Sequence, residues 1–144
     1  MDIKEIETDL SNKLSKKRFI HTLGVVNSAM YLAQKYGANI ENAHLAALLH
    51  DCAKEIPLLE MRDLVANLPC DQDMLHSGAL LHGLAGMVLA NTQYGVTNPD
   101  ILEAIRVHTT GKENMSKLDK IIFLADYIEP NRKFPGVNDI RLAA

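Results

Sequence analysis

Alternating β-branched runs bounded by turn residues, the mark of half-buried strands, are missing from this 144-residue chain, which argues against a sheet-based fold. Positive charge is in short supply too. Fifteen Lys and Arg against 18 Asp and Glu leave a net charge of −3, without the basic excess that DNA- and RNA-binding proteins carry. Any nucleotide partner is therefore expected to be small. Cysteine occurs only as Cys52 and Cys70, with no paired spacing, so both read as free thiols of a reducing compartment, which points to the cytoplasm. The opening MDIKEIETDL has no continuous apolar run of signal-peptide type. No later stretch approaches the roughly 20 apolar residues that a membrane helix needs. A glycine-rich phosphate loop is absent as well, which excludes an NTPase of that design.

What the chain does have is apolar residues at helical spacing, 47% of the sequence, enough for one buried core in one domain over residues 1–144. The spacing predicts an all-α bundle of about six to seven helices. Helices are expected over 3–14, 16–36 between Ser15 and Gly37, 40–51, 57–68 with Pro57 in the first turn, 77–92, 99–108 after Asn98, and 117–129 between Ser116 and Pro130. The terminal VNDIRLAA reads as a helix just beginning, so a natural C-terminal helix is expected to be lacking. Gly78, Ala79, Gly83, Ala85 and Gly86 make one helix face small enough for close packing; a homodimer is compatible with this but not specified by it.

Six residues stand out because each places a metal-ligating side chain on an otherwise apolar helix: His21, His50, Asp51, His82, His108 and Asp126. Singly, each has an ordinary explanation as a hydrogen-bonded core residue or a paired carboxylate. As an ordered set they point to a metal centre. Imidazole plus carboxylate suits Fe, Mn, Co, Ni or Zn better than the all-oxygen shells of Ca²⁺ and Mg²⁺. We expect His21, His50, Asp51 and Asp126 around one ion and His82 and His108 around a second, with Asp51 bridging. Such a pair supplies a bridging hydroxide near neutral pH and clamps the oxygens of an in-line phosphoryl displacement. Arg18, Lys54 and Arg132 lie close to these positions in the chain and are candidates to neutralise phosphate, and Thr109 and Thr110 follow His108 directly. Asp51, Lys54 and Arg132 form the expected catalytic set, and Arg18, Lys54, Thr109, Thr110 and Arg132 the expected substrate contacts. Cys52, a soft outlier beside such ligands, reads as packing, and His44 and His76 are left out.

The order His21, His50-Asp51, His82, His108, Asp126 resembles the HD-domain superfamily of metal phosphohydrolases in its two-metal form. The segments LLHDCAKEIP, LLHGLAGMVLA, IRVHTTGK and ADYIEPNRKFPGV resemble, more closely, its YqeK-type bacterial family. That resemblance implies a helical HD domain, symmetrical hydrolysis of diadenosine tetraphosphate to two ADP, iron as the favoured metal, the same six ligands, and Lys54 and Arg132 as phosphate contacts. It also implies further helix after the FPG loop. Three other readings compete: a hydrolase of another nucleotide, a di-iron oxygenase on the same fold, and a non-catalytic nucleotide-sensing module.

Overall fold

The computed structural model describes residues 1–144 as nine helices without a strand. These are α1 (Ile3–Lys13), α2 (Lys16–Tyr36), α3 (Ile40–Leu49), α4 (Leu58–Leu64), α5 (Gln72–Leu75), α6 (Gly78–Thr92), α7 (Pro99–Arg106), α8 (Lys117–Ile128) and α9 (Val137–Ala143). Side-chain oxygens start most of them by accepting a free first-turn N–H: Asp2, Ser15, Asn39, Asp71, Ser77, Asn98 and Ser116 all cap in this way. Gly37 ends α2 with φ 73°, a left-handed conformation that favours glycine.

The long helix α2 packs between α3 and α8, and α7 joins α3 and α8 to α6. Val25, Leu32, Leu48, Leu49, Ile105 and Ile122 fill the main core. A smaller cluster of Ala53, Met61, Val65, Leu81, Leu84 and Ala85 seats α4 against α6. None of the helices is long and apolar enough to cross a membrane.

The all-α expectation holds, with two short helices more than the spacing predicts. Helix α5 has four residues, too few for a periodic signal. The terminal segment forms the seven-residue α9, which Arg141 ties to the preceding loop by donating to the carbonyls of Ile128, Glu129 and Arg132. Elsewhere the ends move inward. Pro57 precedes α4 as its cap residue rather than sitting in its first turn, and α4 stops at Leu64, giving way to i→i+3 turns.

The largest change falls at the centre of interest. Helix α3 ends at Leu49, and residues 50–56 continue through i→i+3 hydrogen bonds, Cys52 N to Leu49 O, Lys54 N to Asp51 O and Ile56 N to Ala53 O. Likewise α7 ends at Arg106, and His108 N donates to Ile105 O. Tighter winding of this kind alters the angle between successive side chains. Winding alone does not bring neighbours together, since they diverge by about 100° on an α-helix and by about 120° in i→i+3 winding; the two side chains meet through their own torsions where the helix ends, with His50 Nε2 3.3 Å from Asp51 Oδ2.

Candidate metal centre

His21 from α2, His50 and Asp51 from the turn after α3, His82 from α6, His108 from the turn after α7 and Asp126 from α8 converge at one place. Their side chains are at least 85% buried, Asp126 being the most open at 15% exposure. The Asp51 carboxylate lies between two groups. Its Oδ2 is 3.5 Å from His21 Nε2 and 3.3 Å from His50 Nε2, while its Oδ1 is 3.2 Å from both His82 Nε2 and His108 Nε2. Asp126 Oδ1 completes the first group, 3.0 Å from His21 Nε2 and 3.7 Å from His50 Nε2.

The ring nitrogens carry the chemical argument. Each imidazole uses Nδ1 against a protein acceptor: His50 on Ala47 O at 2.6 Å, His82 on Gly78 O at 3.2 Å, His108 on Ile105 O at 2.8 Å and His21 on Glu129 Oε1 at 3.1 Å. An acceptor on Nδ1 holds the proton there and leaves a lone pair at Nε2. Four such lone pairs face six-residue surroundings rich in carboxylate oxygen. His82 Nε2 and His108 Nε2 face each other at 3.0 Å, an arrangement that two lone pairs cannot hold without a proton or a cation between them. His21 Nε2 and His50 Nε2 are buried with no hydrogen-bond partner, although carboxylate oxygens lie close. The donor set therefore fits divalent metal. His21, His50 and Asp126, and His50, Asp51 and His108, each bring ligand atoms within 4.8 Å of one another.

Without an ion, protons do some of this work. Burial opposes charge on His50, but Asp51 and Asp126 outweigh it and push the imidazole up to about 10. Burial likewise opposes charge on Asp51, yet His50, His108 and His82 hold its carboxyl well below the usual carboxylate range. Burial pushes His108 down. Cys52 is buried with its Sγ against Gly86 O, and burial pushes the thiol up to about 12, so it stays a protonated packing residue.

Sequence spacing missed Glu129. It is buried, accepts from His21 Nδ1 through Oε1, and accepts from Asn131 N at 2.9 Å through Oε2. Room for it comes from Gly24 on α2, where an added Cβ would stand 2.6 Å from Glu129 Oε2. The signal was present, since a helix over 117–129, as expected from the sequence, puts Glu129 three residues after Asp126 on one face. Outer partners that orient a ligating histidine typically contribute 10–100-fold in metal affinity. Glu129→Gln is accordingly expected to weaken metal binding by about tenfold, read by titration of the apoprotein with Co²⁺; an unchanged titration would remove Glu129 from the site.

Of the expected substrate contacts, two stand at the cluster. Arg18 Nη1 is 3.1 Å from Asp51 Oδ2 and Arg132 Nη2 is 2.9 Å from Asp126 Oδ1. Both line a cleft of about 630 Å³ that opens onto His21. Lys54 is half-buried in the turn after Asp51 and does not line that cleft. Thr109 carries a buried hydroxyl with no partner, and the Thr110 hydroxyl donates to Gly111 O at 3.1 Å. Arg106 is engaged by Glu103. A second hollow of about 510 Å³, lined by Leu32, Tyr36, Ile121, Leu124 and Ile140 among others, is mainly apolar and lies apart from the cluster.

A helical bundle that directs four histidines and two aspartates from five elements onto one point defines a class, and the chain belongs to it: it is a member of the HD domain family, whose model matches residues 18–131. Its relatives narrow the placement. It is 49% identical over 132 residues to the symmetrical bis(5'-nucleosyl)-tetraphosphatase of Halalkalibacterium halodurans, covering 91% of this chain and 71% of that protein. To the protein of the same description from Bacillus subtilis it is 42% identical over 145 residues, covering 100% of this chain and 78% of the relative. The crystal structure of a predicted HD superfamily hydrolase involved in NAD metabolism from Clostridium acetobutylicum superposes with a TM-score of 0.96 at 42% identity. That match covers 99% of this chain and 77% of the other.

Proposed function

We propose that this protein is a metal-dependent phosphohydrolase that cuts diadenosine tetraphosphate symmetrically into two ADP. The observation that carries the chemistry is the gathering of four imidazole Nε2 atoms on the carboxylates of Asp51 and Asp126, with those of His82 and His108 facing each other; the substrate comes from the curated tetraphosphatases that this chain resembles. In this reading His21, His50 and Asp126 hold one metal ion and His82 and His108 a second, with Asp51 facing both through its two oxygens. Iron is the favoured metal on the family resemblance, and manganese, cobalt, nickel or zinc suits the same donors. When bound, the pair supplies an acidified water and a Lewis-acid clamp for phosphoryl transfer.

The chain's own groups do the rest. Arg18 and Arg132 stand against the two ligand carboxylates and line the cleft, where they receive phosphate oxygens and offset charge as the bond breaks. Lys54, Thr109 and Thr110 lie outside that cleft, and of the three only Thr109 keeps an unpartnered hydroxyl that supports a substrate contact. The small-molecule substrate matches the absence of a broad basic surface on a chain of net charge −3.

Product analysis tests the assignment. Iron-loaded protein incubated with diadenosine tetraphosphate is expected to yield ADP as sole nucleotide product. AMP plus ATP would refute the position of the cut, and no turnover with two metals bound would refute the activity.

A further inference from the structure

The first turn of α2 breaks an electrostatic rule that the other helices mostly keep. Helix N-termini carry partial positive charge and favour acids by about 0.3–1 kcal/mol each. Helices α1, α3, α4, α5, α7, α8 and α9 all place an acid in the first turn. Helix α2 places none and begins instead with Lys16, Lys17 and Arg18, three cations against its own dipole in a chain of net negative charge. No carboxylate pairs with Lys16 or Lys17, and Arg18 Nε is buried without a partner.

These cations line the cleft beside the metal centre together with Arg132 and His21. The His21 side chain is only 10% exposed and its Nε2 lacks a partner, so the cleft ends on an unsatisfied buried polar atom. Its one carboxylate, Glu129, is already engaged by His21 and Asn131. The cations are graded by depth. Arg18 and Arg132 touch Asp51 and Asp126, whereas Lys16 and Lys17 are exposed at the mouth. Ile20, 47% exposed, is the only apolar residue of the lining.

We infer that this cleft holds one nucleoside diphosphate arm of the substrate, which leaves as a product nucleoside diphosphate. The phosphate next to the cut lies on Arg18 and Arg132, the following phosphate on Lys16 and Lys17, and the nucleoside packs on Ile20. Lys16 and Lys17 then select the number of phosphates on one side of the cut. This rests on the phosphohydrolase reading above and adds to it the arm's location and the two lysines.

The test is calorimetric titration of the metal-loaded protein with pyrophosphate and with ADP. It compares wild type, the Lys16→Glu/Lys17→Glu double variant, and a Lys117→Glu/Lys120→Glu control that makes the same charge change on exposed residues of another face. The first variant is expected to bind both ligands about tenfold more weakly and to raise KM for diadenosine tetraphosphate by a similar factor, with kcat within about twofold and metal content unchanged. The control is expected to match wild type. Wild-type affinities in the first variant, or equal losses in both variants, would overturn the inference. Should wild type bind pyrophosphate through the lysines yet leave the tetraphosphate intact, the substrate assignment falls and the anion site stands; turnover with lysine-independent binding has the reverse meaning.

Discussion

Asp51→Asn is expected to lower kcat for diadenosine tetraphosphate by about 10³-fold or more, the several kcal/mol that Lewis-acid stabilisation of a phosphoryl transition state supplies. Asp51 is the one residue whose carboxylate approaches all four imidazoles, with one oxygen for each pair. Asparagine offers a single carbonyl oxygen in place of two anionic ones, and its amide nitrogen cannot ligate. Metal content should therefore fall by at least one equivalent, measured by elemental analysis after desalting. Removing the carboxylate also leaves Arg18 beside the centre without its partner. A variant that keeps two equivalents of metal and a kcat within tenfold of wild type would show that Asp51 does not join the two groups.

Gly83→Ala should damage stability and activity together, for a reason that lies in the backbone. A Cβ at position 83 would stand 2.6 Å from Arg106 O and 3.3 Å from Ile105 O. Main-chain atoms cannot swing aside as a flexible side chain does. Alanine gains about 1 kcal/mol of helix propensity over glycine, but overpacking costs about 1–3 kcal/mol, and contact this short lies at the upper end. A net loss of about 2 kcal/mol corresponds to a fall in Tm of roughly 4–8 °C for a chain of this size. The shift also separates α6 from α7, moving His82 from His108, whose Nε2 atoms stand 3.0 Å apart. Metal affinity should drop with Tm. Gly86→Ala, one turn on, is the comparison: its Cβ would meet Ile105 Cγ2 at 3.4 Å and His50 O at 3.6 Å, so the propensity gain largely offsets the contact. Equal behaviour of the two variants would show that close approach at Gly83 does not hold the two histidines together.

Local signals made much of this fold legible. Helix α2 has the bounds its spacing predicts because Ser15 and Gly37, its start and stop, act on the backbone beside them. The family follows from ordered residues and short segments, and the structure brings all six expected ligands together. Other features needed the third dimension. The tightened turns at His50-Asp51 and before His108 are invisible to a 3.6-residue period, which continues smoothly through both. Glu129 read as the ordinary end of a helix because its partner, His21, lies 108 residues earlier in the chain. Arg18, assigned to phosphate from its closeness to His21, proves to reach Asp51 as well. Lys16 and Lys17 carry no functional reading in the sequence, and only the folded chain brings them to one cleft with Arg132.

The guanidinium of Arg141 gathers three carbonyls from the end of α8 and the following loop, and that loop carries Glu129 and Arg132. Helix α9 thus contributes no ligand yet braces the loop that carries Glu129 and Arg132. A seven-residue helix is marginal by itself and can melt ahead of the remaining fold. Its melting frees the loop, and the collar around His21 and Asp126 loosens while the main core is still folded. Arg141→Ala is therefore expected to lose activity on heating before the helical signal of the bundle falls, and coincident loss of the two would remove α9 from the account.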